Sequence, residues 1–304
     1  MNAFQRAVLA TTHNPVVRNL VRNTRPGRAL AHRFVAGDGL DDAIRAARSL
    51  NREGSVVSLD FLGESVEDPG TALAARGAYD DCIRRIAAEG VAGNISVKLT
   101  QLGLALDREL AAEAVDHLAS VAAEHETSVT IDMEDSRYTD DTLEIYLAGQ
   151  RRHGNLGVCL QAALRRTPDD LARVAGSGGL IRLCKGTYAE PGEIAFRGPS
   201  EVDAAFGRLL ERLMADEGVT PAIATHDTVL LDRTLRLAVA RTGPYEIQVL
   251  YGVRRPLQRE LLEAEVPLRV YLPYGSHWYP YLTRRMAERP ANLMFFLRAL
   301  VGRR

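Results

Sequence analysis

From Ser55 onward the chain alternates short β-branched runs with longer amphipathic stretches, and this rhythm restricts the fold more than any other feature of the sequence. Eight runs read as strands: Val56 to Phe61, Ile95 to Leu99, Ser128 to Asp132, Gly157 to Gln161, Leu180 to Cys184, Ala222 to Thr225, Glu246 to Leu250 and Leu268 to Tyr271. Each is followed by a loop and then by a segment of helical periodicity, such as Arg108 to Ala123, Asp140 to Gln150 and Glu201 to Ala215. Strands that alternate with helices form a parallel sheet, and eight such units close naturally into a (β/α)8 barrel of the TIM type. An open, doubly wound sheet is the other architecture the rhythm allows.

The residues at the strand ends favour the barrel. Asp60, Lys98, Asp132, Gln161, Arg182 with Lys185, Thr225-His226-Asp227, Gln248 and Tyr271 put a polar or ionisable group at every exit. Barrel enzymes draw their chemistry from the C-terminal ends of many strands, whereas an open sheet collects it at one switch-point crevice. No G-x-G-x-x-G or P-loop string follows the first strand, which removes the usual signature of a nucleotide-binding open sheet. Residues 1–52 contain no convincing strand and read as an N-terminal helical extension, broken at Asn14-Pro15 and Arg25-Pro26-Gly27. The barrel is expected over residues 53–304.

Charge and composition narrow the function. A formal net charge of -1, with no local basic tract or cluster of stacking aromatics, excludes nucleic acid as an expected partner. Cys82, Cys159 and Cys184 lie far apart with no C-x-x-C spacing, so neither a metal site nor a disulfide framework is expected. They read as small buried hydrophobes of a reducing cytoplasm. No apolar run approaches the ~20 residues of a membrane span, so any membrane contact is expected to be peripheral.

Four stretches carry candidate chemistry. The helix that follows Pro273 to Ser276 bears adjacent Arg284 and Arg285, with Glu288 one turn away. Two guanidinium forks suit a carboxylate ligand, although the same pattern also describes a solvated surface helix. Lys98, inside an apolar run, either opens into the barrel mouth or pairs with a carboxylate, for which Asp132 is a candidate. Arg182 and Lys185 place two cations at one exit just before Gly186, suited to an electron-rich or phosphorylated cofactor. Thr225-His226-Asp227 forms another polar exit, too short to claim a metal without further His or Cys ligands.

The segments SVKLTQLG (Ser96 to Gly103), IDMEDS (Ile131 to Ser136), RLCKGTY (Arg182 to Tyr188), ATHD (Ala224 to Asp227), YEIQVLYGVR (Tyr245 to Arg254) and VYLPYGSHWYPYLTRRMAERPANL (Val270 to Leu293) resemble, in order, the successive motifs of proline dehydrogenase. The resemblance covers the chain from about Ser55 to Leu293. It implies a (β/α)8 flavoenzyme that oxidises L-proline to Δ1-pyrroline-5-carboxylate with FAD and passes electrons to a quinone.

By the same resemblance, Lys98, Arg284 and Arg285 match cations that bind the substrate carboxylate, and Tyr271 and Leu250 match residues that pack on the proline ring. Asp132 and Glu288 match acids that hold those cations, and Glu64 matches a gate carboxylate. Gln161, Arg182, Lys185, Thr225 and His226 match FAD contacts, Arg182 near the reactive flavin nitrogen, with Tyr188 bordering both ligands.

Asp227 departs from the family, which commonly has an amide there, and Cys184 and Thr187-Tyr188-Ala189 depart from the usual RLVKGAYW wording. No aldehyde dehydrogenase region follows, so a monofunctional cytoplasmic enzyme is expected, with any membrane contact peripheral on the inner face, passing its product to a separate pyrroline-5-carboxylate dehydrogenase. A dehydrogenase of another cyclic amino acid such as hydroxyproline, or a non-catalytic barrel binding proline or flavin, are the competing readings. The bulk of Tyr271 favours unsubstituted proline over the first, and the set Lys98, Arg182, Arg284 and Arg285 weighs against the second.

Overall fold

The structure, a computed structural model, describes residues 23–63, 65–188 and 190–288, with the side chains of residues 26, 30, 284 and 286–288 outside that description. Among the described residues, the helices α1 (Arg25–Ala31) and α2 (Leu40–Arg52) precede the first strand. The order is then β1 (Val56–Phe61), α3 (Pro69–Ala88), β2 (Gly93–Val97), α4 (Arg108–Glu124), β3 (Val129–Ile131), α5 (Thr139–His153), β4 (Leu156–Gln161) and α6 (Thr167–Val174). It continues with β5 (Leu180–Cys184), α7 (Pro199–Ala215), β6 (Thr220–Ala224), α8 (Thr228–Ala238), β7 (Glu246–Leu250), α9 (Arg255–Glu263), β8 (Leu268–Tyr274) and α10 (Trp278–Glu288). The eight strands form a closed parallel barrel in sequence order, sealed by the β1–β8 ladder. The expected barrel is therefore the fold, and an open sheet is excluded.

Strand alternation explains the closure. Val57, Leu59, Ile95, Val97, Ile131, Val158, Leu160, Ile181, Leu183, Ile247, Val249, Val270 and Leu272 are buried and occupy one parity of their strands, the face that meets the helices. Burying each such side chain contributes about 1.5–3 kcal/mol, so this shell dominates the stability of the fold. The opposite parity carries Asp60, Asn94, Ser96, Thr130, Arg182, Gln248 and Tyr271, whose side chains meet one another inside the barrel. A polar lumen is tolerable only because those groups pair with each other.

Helix starts follow local chemistry. Asp68 caps α3 by accepting from Thr71 N, with Pro69 at the first helical position, and Asp107 caps α4 by accepting from Glu109 N. Asp227, at the exit of β6, caps α8 by accepting from Val229 N and Leu230 N.

Strand boundaries differ from the sequence expectation where they shape the site: β2 ends at Val97 and not at Leu99, so Lys98 stands just past it. β8 does not stop at Tyr271: Pro273 and Tyr274 continue the ladder opposite Asp60 and Phe61. Proline has no N–H to contribute, and its carbonyl accepts from Ala36 N, in the segment before α2, at 2.8 Å. β3 is shorter than expected, three residues, so Asp132 stands just past its end.

The segment before α2 reaches the mouth end of the barrel. Gly275 N donates to Gly37 O at 2.9 Å, and Trp278 Nε1 donates to Asp38 Oδ1 at 3.1 Å, which pins the start of α10. Gly252 (φ +72) allows the β7 exit to approach Arg33, since a Cβ there would lie 1.7 Å from Arg33 O. α10 lies against α1, while α2 packs on β1 and β8.

Candidate active site

The site grows from the polar lumen upward. At its base, Arg269 Nε donates to Glu246 Oε1 at 2.7 Å and Arg269 Nη1 to Asn94 Oδ1 at 3.1 Å. Glu246 Oε1 also accepts from Gln248 Nε2 at 2.6 Å, and Gln248 Oε1 accepts from Arg182 Nε at 2.6 Å. Arg182 Nη1 donates to Ser96 Oγ at 3.0 Å and to Asp132 Oδ1. Ser96 Oγ itself donates to Asp132 Oδ1 at 2.7 Å. The lumen is thus one continuous network that ends on Asp132 at the mouth.

Lys98 completes it. Its ammonium donates to Asp60 Oδ1 at 2.7 Å, to Asp132 Oδ2 at 3.3 Å and to the Tyr271 hydroxyl at 3.3 Å. The Tyr271 hydroxyl donates onward to Asp132 Oδ2 at 2.7 Å, and its ring lies under the Arg182 guanidinium, 5.3 Å from Cζ to the centroid. Leu250 stands directly opposite Tyr271 in the β7–β8 ladder.

Electrostatics follow from the burial. Desolvation works against the Lys98 ammonium, but Asp60 and Asp132 outweigh it and raise its pKa, so the lysine is a fixed cation. Desolvation likewise opposes the Asp132 carboxylate, and there Lys98 and Arg182 prevail and hold its pKa below the usual value. Asp60 goes the other way: burial pushes its pKa up despite the lysine beside it. Burial also raises the Tyr271 hydroxyl well above its ordinary range, so it remains a hydrogen-bond donor.

Lys98 also borders a cavity of about 180 Å³, which it lines with Gly63, Ser65, Thr100, Glu134, Tyr138 and Tyr188, among others. Glu134 ties three exits together. Its carboxylate accepts from Thr100 N at 2.9 Å and Thr100 Oγ1 at 2.5 Å, and its carbonyl accepts from Gln161 Nε2 at 2.6 Å.

Several sequence expectations are refined by these positions. Arg182 is not exposed at an exit but sits one layer down, 4% exposed, gripped by Asp132, Ser96 and Gln248. Lys185 is at the mouth, 2.9 Å from Asp227 Oδ2 and 2.5 Å from Asp203 Oδ1. Thr225 Oγ1 accepts from Asp227 N at 3.1 Å, and His226 Nε2 accepts from Leu250 N at 3.1 Å, which links the β6 and β7 exits and fixes the tautomer with its proton on Nδ1. Tyr188 is 43% exposed on the cavity rim. Arg285 is buried on α10 with its guanidinium 5.2 Å from the Tyr281 ring centroid. The side chains of Arg284 and Glu288, and all of Glu64, lie outside the described residues.

Two carboxylates of this site have no assigned part in the sequence reading. Asp60 is recognisable there as a polar exit, but nothing in the spacing pairs it with a lysine 38 positions later; the lumen parity of β1 and β2 is the signal that would have done so. Glu134 is visible only as part of IDMEDS. The cysteines, expected as small buried residues, are buried at Cys82 and Cys159 and half-buried at Cys184, and Cys159 and Cys184 are in contact, Sγ to Sγ 3.5 Å.

The chemistry of a cofactor can be tested against these residues. Arg182 Nη2 is buried without a hydrogen-bond partner, a donor left over after its other nitrogens are used. Gly186 (φ +100) lies so close to Gln161 that a Cβ would stand 2.8 Å from Gln161 Oε1, leaving bare backbone between the β4 and β5 exits. An unspent buried donor beside an uncluttered exit fits a flat, electron-rich ring such as a flavin.

A parallel eight-stranded barrel with buried carboxylates fixing a cation at the C-terminal ends of its strands has the architecture of a (β/α)8 barrel enzyme. The family model described as proline dehydrogenase matches residues 43–298. Proline dehydrogenase 1 of Bacillus subtilis is 36% identical over 274 residues, 89% of this chain and 90% of that protein. The proline dehydrogenase of Deinococcus radiodurans is 34% identical over 309 residues, 98% of each. Among solved structures, proline utilization A from Bdellovibrio bacteriovorus inactivated by N-propargylglycine superposes with a TM-score of 0.81 at 21% identity, covering 86% of this chain and 33% of that longer one, a likeness of fold. The chain belongs to the proline dehydrogenase family, a flavin-dependent enzyme family.

Proposed function

We propose that this enzyme uses noncovalently bound FAD to convert L-proline to Δ1-pyrroline-5-carboxylate, and that the observation carrying the reading is Lys98, fixed as a cation at the cavity by Asp60 and Asp132. Lys98, Arg284 and Arg285 clamp the substrate carboxylate, which orients the ring. Tyr271 and Leu250, opposite each other across two strands, form the wall on which the ring packs and from which water is excluded. Asp132 keeps Lys98 and Tyr271 in place; Glu288 does the same for the arginines, and Glu64 closes the mouth against an arginine. The Tyr271 hydroxyl is committed to Asp132 and Lys98, so its ring cannot swing aside for a substituent, which supports proline over hydroxyproline.

Arg182, Gln161, Lys185, Thr225, His226 and Tyr188 are the residues that would hold the flavin, Arg182 through its spare Nη2. The flavin supplies the two-electron acceptor for hydride removal beside the ring nitrogen. Lys185 meets two carboxylates, and Asp227 is one of them, so retention of the cofactor's anionic part depends on how that pairing is shared. The electrons pass to a quinone, the protein acts in the cytoplasm with peripheral contact at the inner membrane face, and the product goes to a separate pyrroline-5-carboxylate dehydrogenase. Among the described residues no helix is long and apolar enough to cross a membrane.

The visible spectrum read without oxygen tests this. Purified protein should be yellow, lose its colour on addition of L-proline and do so more slowly with hydroxyproline. Acid precipitation should release the flavin into solution; a coloured pellet would refute noncovalent binding, and a flavin spectrum indifferent to proline would refute the activity.

A further inference from the structure

Cys159 and Cys184, 25 positions apart in sequence, bring their sulfurs to 3.5 Å of each other between the Arg182 layer and the mouth of the barrel. In the β4–β5 ladder Cys159 stands opposite Arg182 and Cys184 opposite Gln161, so the pair is diagonal, two residues out of register. Both face the lumen: Cys184 follows Arg182 by two residues, and Cys159 precedes Gln161 by two. Cys159 is buried and Cys184 half-buried, so Cys184 is the more accessible residue of the pair.

The geometry limits what the two thiols can do. Diagonal neighbours on adjacent strands have Cα atoms roughly 7–8 Å apart, while a disulfide closes without backbone movement only below about 7 Å. The strands therefore hold the pair as a dithiol. A single atom bonded to both sulfurs at about 2.3 Å would span the observed gap at an angle of roughly 100°. A two-coordinate linear centre would need the sulfurs about 4.6 Å apart on the same bond length. Zinc would need further protein ligands, and among the described residues no group of three or more His, Cys, Asp or Glu is placed to hold a metal ion. A pyramidal trivalent centre with two sulfur bonds and one outside substituent meets all three conditions. The thiols are also prepared for bond formation, because the hydrogen bond from Cys159 lowers the pKa of Cys184 while that of Cys159 rises.

We propose that Cys159 and Cys184 form a chelating site for trivalent organoarsenicals of the type R–As(OH)2. Each sulfur bonds to arsenic, each As–OH bond breaks, and each hydroxyl leaves as water with the proton of the thiol it replaces. Two thiols and R–As(OH)2 give R–As(S–Cys)2 and two waters, with no change of oxidation state. Arg182 and Gln161 stand opposite the two cysteines in the ladder, so a bound arsenical competes with the ligand that the proposed function gives to those two residues.

The test uses the full chain under native conditions, treated with an equimolar amount of phenylarsine oxide and read by intact mass. One adduct per chain should form, survive excess monothiol and be removed by a 1,2-dithiol such as 2,3-dimercaptopropanol. Loss of either sulfur turns a two-point attachment into a one-point one, so Cys184→Val and Cys159→Ala should each weaken retention against monothiol by roughly 100-fold or more. Cys82→Ala, remote from the pair, should retain the adduct fully. Circular dichroism of each variant confirms folding before the mass is read. A monothiol-resistant adduct in either single variant, its loss in Cys82→Ala, or no adduct on the folded parent chain would each overturn the proposal.

Discussion

The Lys98 ammonium lies 2.7 Å from Asp60 Oδ1 but 3.3 Å from Asp132 Oδ2. The two carboxylates nonetheless differ in what depends on them. Asp132 also accepts from Arg182, Ser96 and Tyr271, whereas Asp60 is a buried acid whose proton affinity is raised by burial.

Asp132→Asn should therefore be the more damaging of the two substitutions. Removing one partner from a buried ion pair costs about 3–5 kcal/mol, and Asp132 serves two cations at once. We expect Asp132→Asn to lower the urea midpoint strongly and to lose flavin as Arg182 is released. Asp60→Asn should keep most of its flavin and raise the Michaelis constant for proline instead. Equal effects of the two variants on stability and flavin content would mean that the shared contact with Lys98, and not the link to Arg182, sets the role of Asp132.

The arginines of α10 are expected to separate substrate binding from cofactor binding. Arg284→Met or Arg285→Met removes a charge-assisted hydrogen bond worth about 1.5–3 kcal/mol, or roughly 10- to 150-fold in affinity for the proline carboxylate. The Michaelis constant should rise by that order with flavin content little changed. Parallel loss of flavin and of substrate affinity would mark these arginines as structural.

How much of this could be read from the sequence varies with the range of the interaction. The β1, β5 and β7 boundaries match expectation because each run is apolar on one parity and bounded by clear breaks. The expected β8 ends at Tyr271, before Pro273-Tyr274-Gly275, where turn chemistry and a barrel ladder look alike until the β1 partner is known. Polar exits named the mouth residues, but depth was invisible: Arg182 and Gln248 belong to the lumen, which only the closed register shows. Pairings across strands, Lys98 with Asp60 and Cys159 with Cys184, leave no local trace at all.

Alkaline pH should unfold this protein through its buried tyrosines and Cys82. Burial raises the Cys82 thiol from 9.0 to about 12 and the Tyr146 hydroxyl from 10.0 to about 12, and it raises Tyr79 and Tyr271 as well. A raised folded-state pKa means that the folded chain keeps protons the unfolded chain has released. The contribution is complete below the ordinary value and is lost as pH climbs through the window between the two, from about 9 to about 12 for Cys82 and from about 10 to about 12 for Tyr146, at about 1.4 kcal/mol per pH unit for each group within its window. Urea midpoints measured on either side of that window should fall with pH, and Tyr146→Phe should shallow the decline while losing the 2.7 Å contact with Ser177 Oγ. A midpoint constant across the window would refute this account.

The shape of the proposed carboxylate clamp leads to one further expectation, which joins pH dependence to inhibition. Proline arrives with a cationic amine, yet hydride loss beside the nitrogen requires the neutral form, so kcat/KM should rise with pH through a group titrating above neutrality. Lys98 does not supply that titration, because Asp60 and Asp132 keep it protonated. A ligand with the same ring size and carboxylate but no basic nitrogen, such as tetrahydro-2-furoic acid, has no proton to lose. It should pack between Tyr271 and Leu250, place its carboxylate on Lys98, Arg284 and Arg285, and compete with proline with an inhibition constant that does not follow the kcat/KM profile. Its carboxamide should bind far more weakly, since a neutral group leaves the clamp's cations without their anion. Inhibition constants for the acid and the amide, measured across the same pH range, decide the point: comparable values would show that these cations do not hold the carboxylate, and the roles given to Lys98, Arg284 and Arg285 would have to be withdrawn.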